Sequence, residues 1–226
     1  MLLMKRTQLG LKALAGALAL VGSLSASASG CIDTYPLRTQ INAPSTLELC
    51  SSFYASNYDV NNRAVVFTTE ILRKGAPVGS FTRLGAFKQD SRVTKSPKPE
   101  DYTNTGYDRG HMVPSDDSSN MYEMSETFVM TNAVPQEPTL NRGSWKAMEE
   151  SIRKEFLAYN KDTWVLTIPV YNKGGYINNI PVPTGIWKIV YGSTVKYYFA
   201  ENKLGAKVKP YSAVSVESIL ANSRNF

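Results

Sequence analysis

The chain has 226 residues, of which 42% are hydrophobic and 19% are charged, with a formal net charge of +6. That length suits one domain with a short appendage, and the apolar fraction is too high for a disordered chain. The single histidine excludes every mechanism that needs two imidazoles, and the two cysteines exclude a zinc site built from four thiolates. If the protein is an enzyme, its imidazole chemistry therefore depends on His111.

Residues 1–28 have the pattern of an export signal. Three basic residues precede an apolar run from Ala13 to about Leu24, and Ala26-Ser27-Ala28 offers the small side chains that a signal peptidase accepts. A membrane anchor is less favoured, because the run is short and diluted by Ala, Gly and Ser. We expect an exported protein, periplasmic or secreted, with no membrane span in its mature form. A lipoprotein modified at Cys31 is the weaker alternative, because Ala28 stands where such signals usually carry leucine.

The export signal changes how the charge and the cysteines are interpreted. Its removal takes away three positive charges and no acidic residue, so the formal charge falls from +6 to about +3. Both cysteines lie in the exported part, which favours a disulfide between Cys31 and Cys50 over two free thiols. Residues 29–60 are polar with little periodicity. We predict an arm pinned by this disulfide, followed by the main domain over residues 61–226.

The rest of the chain is typical of an α+β fold dominated by antiparallel strands. The β-branched run Ala64–Leu72 predicts a strand that ends at a turn, and the charged, Pro-rich residues 88–106 predict a long surface loop. Gly174-Gly175 predicts a turn among the later strands. Those further strands are predicted at Thr127–Asn132, Thr163–Tyr171, Pro183–Tyr191 and Thr194–Phe199.

One helix is predicted after Pro138, a residue that is tolerated before a helix but not inside it. Three- and four-residue steps place one set of residues on a common, buried face. That face comprises Asn141, Trp145, Met148, Ile152, Phe156 and Tyr159. The opposite face, predicted to be solvated, carries Lys146, Glu150, Arg153 and Lys154.

Residues 106–114 concentrate side chains suited to phosphate chemistry around His111. Imidazole is the side chain best suited to take a proton near neutral pH. Arg109 offers a fork of donors that fits a phosphate, and Gly110 lets the backbone approach closely. Taken alone, the segment also fits a structural histidine beside an ordinary ion pair of Asp108 and Arg109.

A second polar set includes Asn132 and Gln136 and continues to the start of the predicted helix. There Asn141 is aligned with the buried face, where an unpaired amide would cost roughly 1 to 3 kcal/mol. A hydrated Mg²⁺ would supply a partner, because an amide oxygen is a hard ligand. Glu149, two turns further on, could accept hydrogen bonds from waters on the ion. Spacing alone leaves a metal ligand and a helix N-cap equally favoured for Asn141.

Together the two segments resemble the DNA/RNA non-specific endonucleases, the ββα-metal nucleases of the Serratia nuclease and endonuclease G type. Tyr107-Asp108-Arg109-Gly110-His111 matches the family signature. Leu140-Asn141-Arg142-Gly143-x-Trp145-x-x-x-Glu149 matches its metal helix. Weaker similarities extend the resemblance over roughly residues 60–226.

The resemblance implies a ββα-metal finger fold with a central antiparallel sheet flanked by helices and long loops. It implies hydrolysis of phosphodiester bonds in DNA and RNA with little sequence specificity and with 5′-phosphate products. His111 would be the general base, and Asn141 would be the only direct protein ligand of Mg²⁺, with Mn²⁺ as the alternative ion. Arg109 would neutralise the transition state, Glu149 would hold waters on the ion, and Asn132 would orient His111 or the phosphate.

Arg83, Gln136 and Arg142 are the expected substrate-binding residues. The resemblance supports Arg83 as a second phosphate-binding arginine less directly than it supports the motif residues. Arg92 lies nearby in the sequence and could bind the phosphate instead. The acids Asp116-Asp117 are interpreted as solvated.

The expected partners are DNA and RNA, and both a homodimer and a protein inhibitor are compatible with the sequence. Two other functions stay open. One is a non-catalytic nucleic-acid-binding or uptake protein of the same fold, against which the intact His111, Asn141 and Glu149 argue. The other is a phosphodiesterase that acts on small nucleotides.

Overall fold

The structure is a computed structural model that describes Cys31 and residues 46–226. The predicted export signal, residues 1–28, lies outside the described residues. Within them the strands, numbered along the chain, are β1 (Leu47–Cys50), β2 (Tyr54–Asp59), β3 (Ala64–Leu72), β4 (Asp108–His111), β5 (Ala133–Gln136), β6 (Thr163–Asn172), β7 (Tyr176–Ile177), β8 (Ile180–Pro181), β9 (Gly185–Tyr191), β10 (Val195–Glu201), β11 (Lys209–Tyr211) and β12 (Arg224–Asn225). The helices are α1 (Met121–Thr127), α2 (Lys146–Tyr159) and α3 (Val216–Asn222).

One large sheet forms the centre of the fold. Its strands follow the order β1-β2-β3-β6-β9-β10-β11 with antiparallel neighbours, and β12 pairs with β6 in parallel. Helix α2 packs on one face together with Val165, and α3 packs on the other with Leu166 and Ile168. Because both faces are covered, β3 is buried along its whole length, including the polar residues Thr68, Thr69 and Glu70. The predicted α+β fold with antiparallel strands is confirmed.

The predicted strands at Ala64–Leu72, 163–171, 183–191 and 194–199 are confirmed, with shifts of a few residues at their ends. The prediction at Thr127–Asn132 is wrong. Thr127 ends helix α1, which begins where the Asn120 side chain accepts a hydrogen bond from the backbone N–H of Glu123 at 3.0 Å. A single turn follows at Met130–Asn132 before β5 begins. Capping and the contacts of this turn therefore override local strand propensity.

The predicted arm at residues 29–60 is wrong for its described part, because residues 47–59 form β1 and β2 of the main sheet. The main sheet therefore begins before residue 61. The predicted disulfide is confirmed: Cys31 and Cys50 are bonded, with their Cα atoms 5.6 Å apart. Since Cys50 is the last residue of β1, the bond ties an upstream segment to the sheet edge.

A separate ββα finger carries the two motif segments. Strands β4 and β5 pair antiparallel, with His111 opposite Ala133. The chain then passes through a helical turn at Leu140–Trp145, which kinks at Gly143, and continues into α2.

The predicted buried face of α2 is largely confirmed, because Trp145, Met148, Ile152 and Phe156 are in the core. Three residues differ from the prediction: Asn141 is only partly buried, Tyr159 is exposed and Arg153 is buried. No helix among the described residues is both long and apolar enough to cross a membrane.

We predict that replacing both cysteines, Cys31→Ser/Cys50→Ser, lowers the free energy of unfolding by about 3 kcal/mol, because the unfolded chain loses its cross-link. Urea unfolding followed by tryptophan fluorescence measures the change. Treating the native protein with a thiol reductant should give the same loss, whereas an unchanged midpoint after reduction would contradict a stabilising role for the bond.

Candidate active site

His111 lies at the end of β4 in an aromatic pocket. Its ring centroid is 4.4 Å from that of Phe87 and 5.1 Å from that of Phe128. Burial, reinforced by the positive charges of Arg83 and Lys188, lowers the pKa of His111 to about 3. The imidazole is therefore neutral at pH 7 and able to accept a proton.

Gly110 is needed because the two strands of the finger approach closely beside His111. A methyl group at position 110 would lie 2.1 Å from Oε1 of Gln136 and 2.5 Å from its Cβ. Any larger residue would displace the buried Gln136 side chain. The expectation that Gly110 permits a close backbone approach is thus confirmed.

Asn141 lies on the helical turn before α2, facing Asp108 of β4. Its Nδ2 donates to Oδ2 of Asp108 at 2.9 Å, and Arg142 donates to both oxygens of the same carboxylate at 2.8 and 2.5 Å. Burial opposes ionisation of Asp108, but these donors outweigh it and lower the pKa of its carboxyl. The backbone N–H of Asn141 bonds to Glu137 inside the turn, so Asn141 is not a helix N-cap.

Glu149, on the first turn of α2, is tied to the sheet by a buried lysine. Nζ of Lys188 on β9 lies 3.0 Å from Oε1 of Glu149 and 3.3 Å from the carbonyl oxygen of Met112. Burial raises the pKa of Glu149, and the ammonium of Lys188 opposes that rise. A further acid, Glu70, is fully buried in β3, and its carboxylate oxygens have no hydrogen-bond partner among the described residues. Burial and then the charge of Asp117 raise the pKa of Glu70 well above its usual range.

The structure brings His111, Asn141 and Glu149 to one cleft of about 420 Å³, whose other charged lining includes four arginines. These are Arg83, Arg109, Arg142 and Arg153. A second hollow of about 410 Å³ continues it, sharing Arg83, Arg109, Asn141 and Arg142 and adding Tyr107 and Phe128. The arrangement can place a neutral base and several cations around one anionic group.

The structure separates the two candidate phosphate arginines. Arg83 lines both hollows, with its guanidinium carbon 5.2 Å from the ring centroid of Phe128. Arg92 instead forms an ion pair with the buried Asp90 at 2.7 Å and donates to the carbonyl of Cys50. Its guanidinium is thus engaged in holding the loop that follows β3.

Sequence reasoning missed Arg153, which was assigned to the solvated face of the helix. Its side chain pairs with Asp117 at 2.7 Å, and Asp116 lies 3.7 Å away. The interpretation of this acid pair as solvated is wrong for Asp117, which is buried. A helical pattern cannot reveal a partner contributed by a distant loop, and here that loop covers Arg153 alone of the predicted polar face.

Asn132 and Gln136 are both fully buried and do not line the cleft. The Asn132 side chain accepts from the N–H of Val113 and donates to the carbonyls of Val113 and Thr127, each at 3.0 Å. Its side chain therefore contacts the backbone two residues after His111 and not the imidazole itself. The polar atoms of Gln136 have no hydrogen-bond partner among the described residues. The structure thus places Gln136 beneath the cleft, and its contact with substrate stays a prediction.

We predict that the His111 imidazole stays neutral from pH 8 down to about pH 4, because its pKa lies near 3. The chain has one histidine, so a single imidazole resonance in a proton NMR titration reports on it directly. A midpoint near 6.5 in the folded protein would contradict the prediction. In the unfolded chain the imidazole takes up a proton near pH 6.5, whereas in the folded protein it does so only near pH 3. His111 therefore lowers the free energy of unfolding as the pH falls from about 6.5 toward 3.

We predict that Lys188→Met destabilises the fold by roughly 3 to 5 kcal/mol, because it leaves Glu149 buried without its cation. The matched substitution Glu70→Gln should cost less than about 1 kcal/mol, since burial raises the pKa of the Glu70 carboxyl and so favours its neutral form, which glutamine matches in shape. Urea unfolding at pH 7 compares the two. A larger loss for Glu70→Gln would show that Glu70 is ionised.

Comparisons with known proteins agree with this geometry. The model of the DNA/RNA non-specific endonuclease family matches residues 37–222. The mitochondrial nuclease EXOG of Xenopus laevis is 31% identical over 186 residues, which are 73% of this chain and 50% of the relative. A nuclease of Nostoc sp. is 37% identical over 122 residues, which are 50% of this chain and 43% of the relative. The chain thus spans about half the length of these relatives.

A solved structure of an EndoG/EndoGI complex has the same fold. It matches with a TM-score of 0.67 and 25% sequence identity, over 77% of this chain and 83% of the other. The central sheet with its ββα finger is therefore the architecture of the ββα-metal nucleases. Since the family model covers most of the sequence and the fold agrees, the chain belongs to the DNA/RNA non-specific endonuclease family.

Proposed function

We propose that the protein is an exported, Mg²⁺-dependent endonuclease that hydrolyses phosphodiester bonds of DNA and RNA with little sequence specificity. The observation that carries the proposal is the cleft in which the neutral His111 and the amide of Asn141 lie among four arginines. Phosphoryl transfer depends mainly on positioning and charge stabilisation, so one base and a set of cations suffice. Such contacts bind the phosphate groups and do not distinguish one base from another, which accounts for the low sequence specificity.

His111 is the proposed general base. Its Nε2 is buried and has no hydrogen-bond partner among the described residues, so Nδ1 is the nitrogen that would take the proton from the attacking water. Lowering the pKa weakens a base but ensures that it is unprotonated at neutral pH. The aromatic walls of Phe87 and Phe128 restrict the orientation of the ring.

The residues at the turn before α2 fit a hydrated Mg²⁺. Nδ2 of Asn141 is held by Asp108, which fixes the amide and leaves Oδ1, a hard ligand, free for the ion. Glu149 lines the same cleft and would accept hydrogen bonds from the hydration shell. When bound, the ion would polarise the phosphate and offset charge on the leaving 3′ oxygen, and Mn²⁺ could take the same place.

The arginines are proposed to divide the remaining work. Arg109 is exposed in the cleft and would offset the charge of the pentavalent transition state. Arg83 and Arg142 would bind neighbouring phosphates, with Arg142 placed by its bond to Asp108. Attack on phosphorus with departure of the 3′ oxygen gives the proposed 5′-phosphate ends.

Export is proposed from the pattern of residues 1–28 and is supported by the disulfide, which is typical of oxidising compartments. The homodimer remains a prediction. A protein inhibitor is a proposed partner by analogy with the EndoG/EndoGI complex, in which EndoG is inhibited.

We predict that the purified protein degrades plasmid DNA and RNA in Mg²⁺ and stops in EDTA. His111→Ala should lower the cleavage rate by about 100- to 10,000-fold, because general-base assistance is lost. Asn141→Ala should raise the Mg²⁺ concentration needed for activity, whereas the exposed Asn222→Ala on α3 serves as the matched control. Gel assays of initial rates measure all three variants.

Each alternative function has its own outcome in this assay. Cleavage that persists in EDTA would remove the role of Asn141. Binding without cleavage would identify a non-catalytic nucleic-acid-binding protein, and hydrolysis restricted to bis(p-nitrophenyl) phosphate would identify a small-substrate phosphodiesterase.

A further inference from the structure

A separate cleft of about 360 Å³ lies at the end of the sheet, along β10, β11 and the loop that joins them. Its lining combines two aromatic side chains, Phe199 and Tyr211, with three lysines. The lysines are Lys203, Lys207 and Lys209. Cations interleaved with aromatic rings are the combination that binds phosphates and bases together.

The connecting loop is held firmly at its base. Asn202 is buried, and its side chain accepts from the N–H of Glu137 at 2.8 Å and donates to the carbonyls of Pro135 and Pro183 at 2.9 and 2.8 Å. Gly205 donates from its backbone to Oγ1 of Thr139 at 3.3 Å. The exposed lysines are thus carried on an anchored segment rather than on a free hairpin tip.

The cleft carries excess positive charge. Lys203 forms an ion pair with Glu201 at 2.7 Å, which neutralises one of the three ammonium groups. Lys207 and Lys209 are exposed and form no ion pair within the described part of the chain. Two ammonium groups therefore remain for an anionic ligand.

The aromatic part offers a stacking surface. The ring centroids of Trp187 and Phe199 are 4.8 Å apart, and those of Trp187 and Tyr211 are 4.9 Å apart. Tyr211 is 42% exposed at the edge of this cluster, so its ring is both supported and accessible. An unpaired base can stack on such a ring, whereas a base within a duplex cannot.

This cleft adjoins the turn that carries Asn141. Oγ of Ser144 lies 3.4 Å from the carbonyl oxygen of Ala206 and 3.3 Å from the backbone nitrogen of Val208. Ser144 follows Asn141 by three residues, which span at most about 10 Å. A stacked nucleic-acid strand advances about 3.4 Å per nucleotide. The distance from Asn141 to Ser144, at the edge of this cleft, therefore corresponds to a few nucleotides.

We propose that this cleft is a second nucleic-acid binding site, which holds an unpaired stretch of the substrate strand a few nucleotides from the scissile bond. The inference rests on the proposed function, because the strand must also occupy the active site. Lys207 and Lys209 contact phosphates, and Tyr211 stacks against a base.

The test is Lys207→Gln/Lys209→Gln in the His111→Ala background, which prevents digestion. Fluorescence anisotropy with a labelled 20-nucleotide single strand measures affinity from 50 to 200 mM salt. Removing two phosphate contacts should make the plot of log affinity against log salt less steep by about 1.4. The fold-decrease in affinity between 50 and 200 mM salt then becomes about sevenfold smaller. The matched control is Lys74→Gln/Lys161→Gln, a pair of exposed lysines near the far end of α2, and it should keep the original slope.

Tyr211→Ala should weaken binding of the single strand by about fivefold or more and leave a blunt duplex almost unaffected. An unchanged slope in the double lysine variant, or an equal change in the control, would overturn the second site. Equal losses for single strand and duplex on Tyr211→Ala would overturn its specificity for unpaired bases.

Failure of the proposed function would give a different result. Hydrolysis of plasmid DNA and of bis(p-nitrophenyl) phosphate is measured in parallel on protein that retains His111. If neither is hydrolysed, the proposed nuclease activity fails, whereas the binding slopes still decide whether the second cleft contacts nucleic acid.

Discussion

The candidate active site depends on one buried ammonium group. Nζ of Lys188 links the central sheet to Glu149 on α2 and to the backbone just after His111, and it lies 5.6 Å from the centroid of the Trp145 ring. The same charge helps to keep His111 unprotonated. Burial alone would lower the pKa of Lys188, but the carboxylate of its ion-pair partner Glu149 raises it. The charge of Lys188 therefore acts on the proposed base His111 and also joins α2 to the central sheet.

The distribution of charge around the cleft follows from this anchor. Acidic groups lie beneath the surface, where Glu149 pairs with the buried cation Lys188 and Asp117 pairs with the buried cation Arg153. Arginines with exposed guanidinium groups lie above them. The modest net charge of +6 over 226 residues is thus compatible with a strongly basic cleft, because Glu149 and Asp117 beneath it are already paired.

The sequence predicted the parts of the site in which chemistry and local pattern coincide. His111, Arg109, Asn141 and Glu149 all line one cleft, and the apolar face of α2 packs as its spacing indicates. The helical pattern could not predict the burial of Arg153, because its partner comes from a loop more than thirty residues earlier in the chain. Only tertiary packing decides such cases.

A signal for the buried network was nevertheless present in the sequence. Lys188 interrupts the apolar run Ile186–Val190, and Glu70 interrupts β3. A charged residue inside a strand that is covered on both faces needs a partner or a shifted pKa. The β-branched and apolar residues of these segments indicate the strands, and the charge within each strand indicates a buried partner.

The close approach of Gly110 and Gln136 also gives the signature motif a second meaning. The glutamine side chain occupies the volume that any side chain at residue 110 would need, so the two positions form one steric unit across the finger. A larger residue at 110 would require a smaller one at 136, and the two should vary together if they vary at all. Part of this signature motif therefore reflects a steric constraint between β4 and β5.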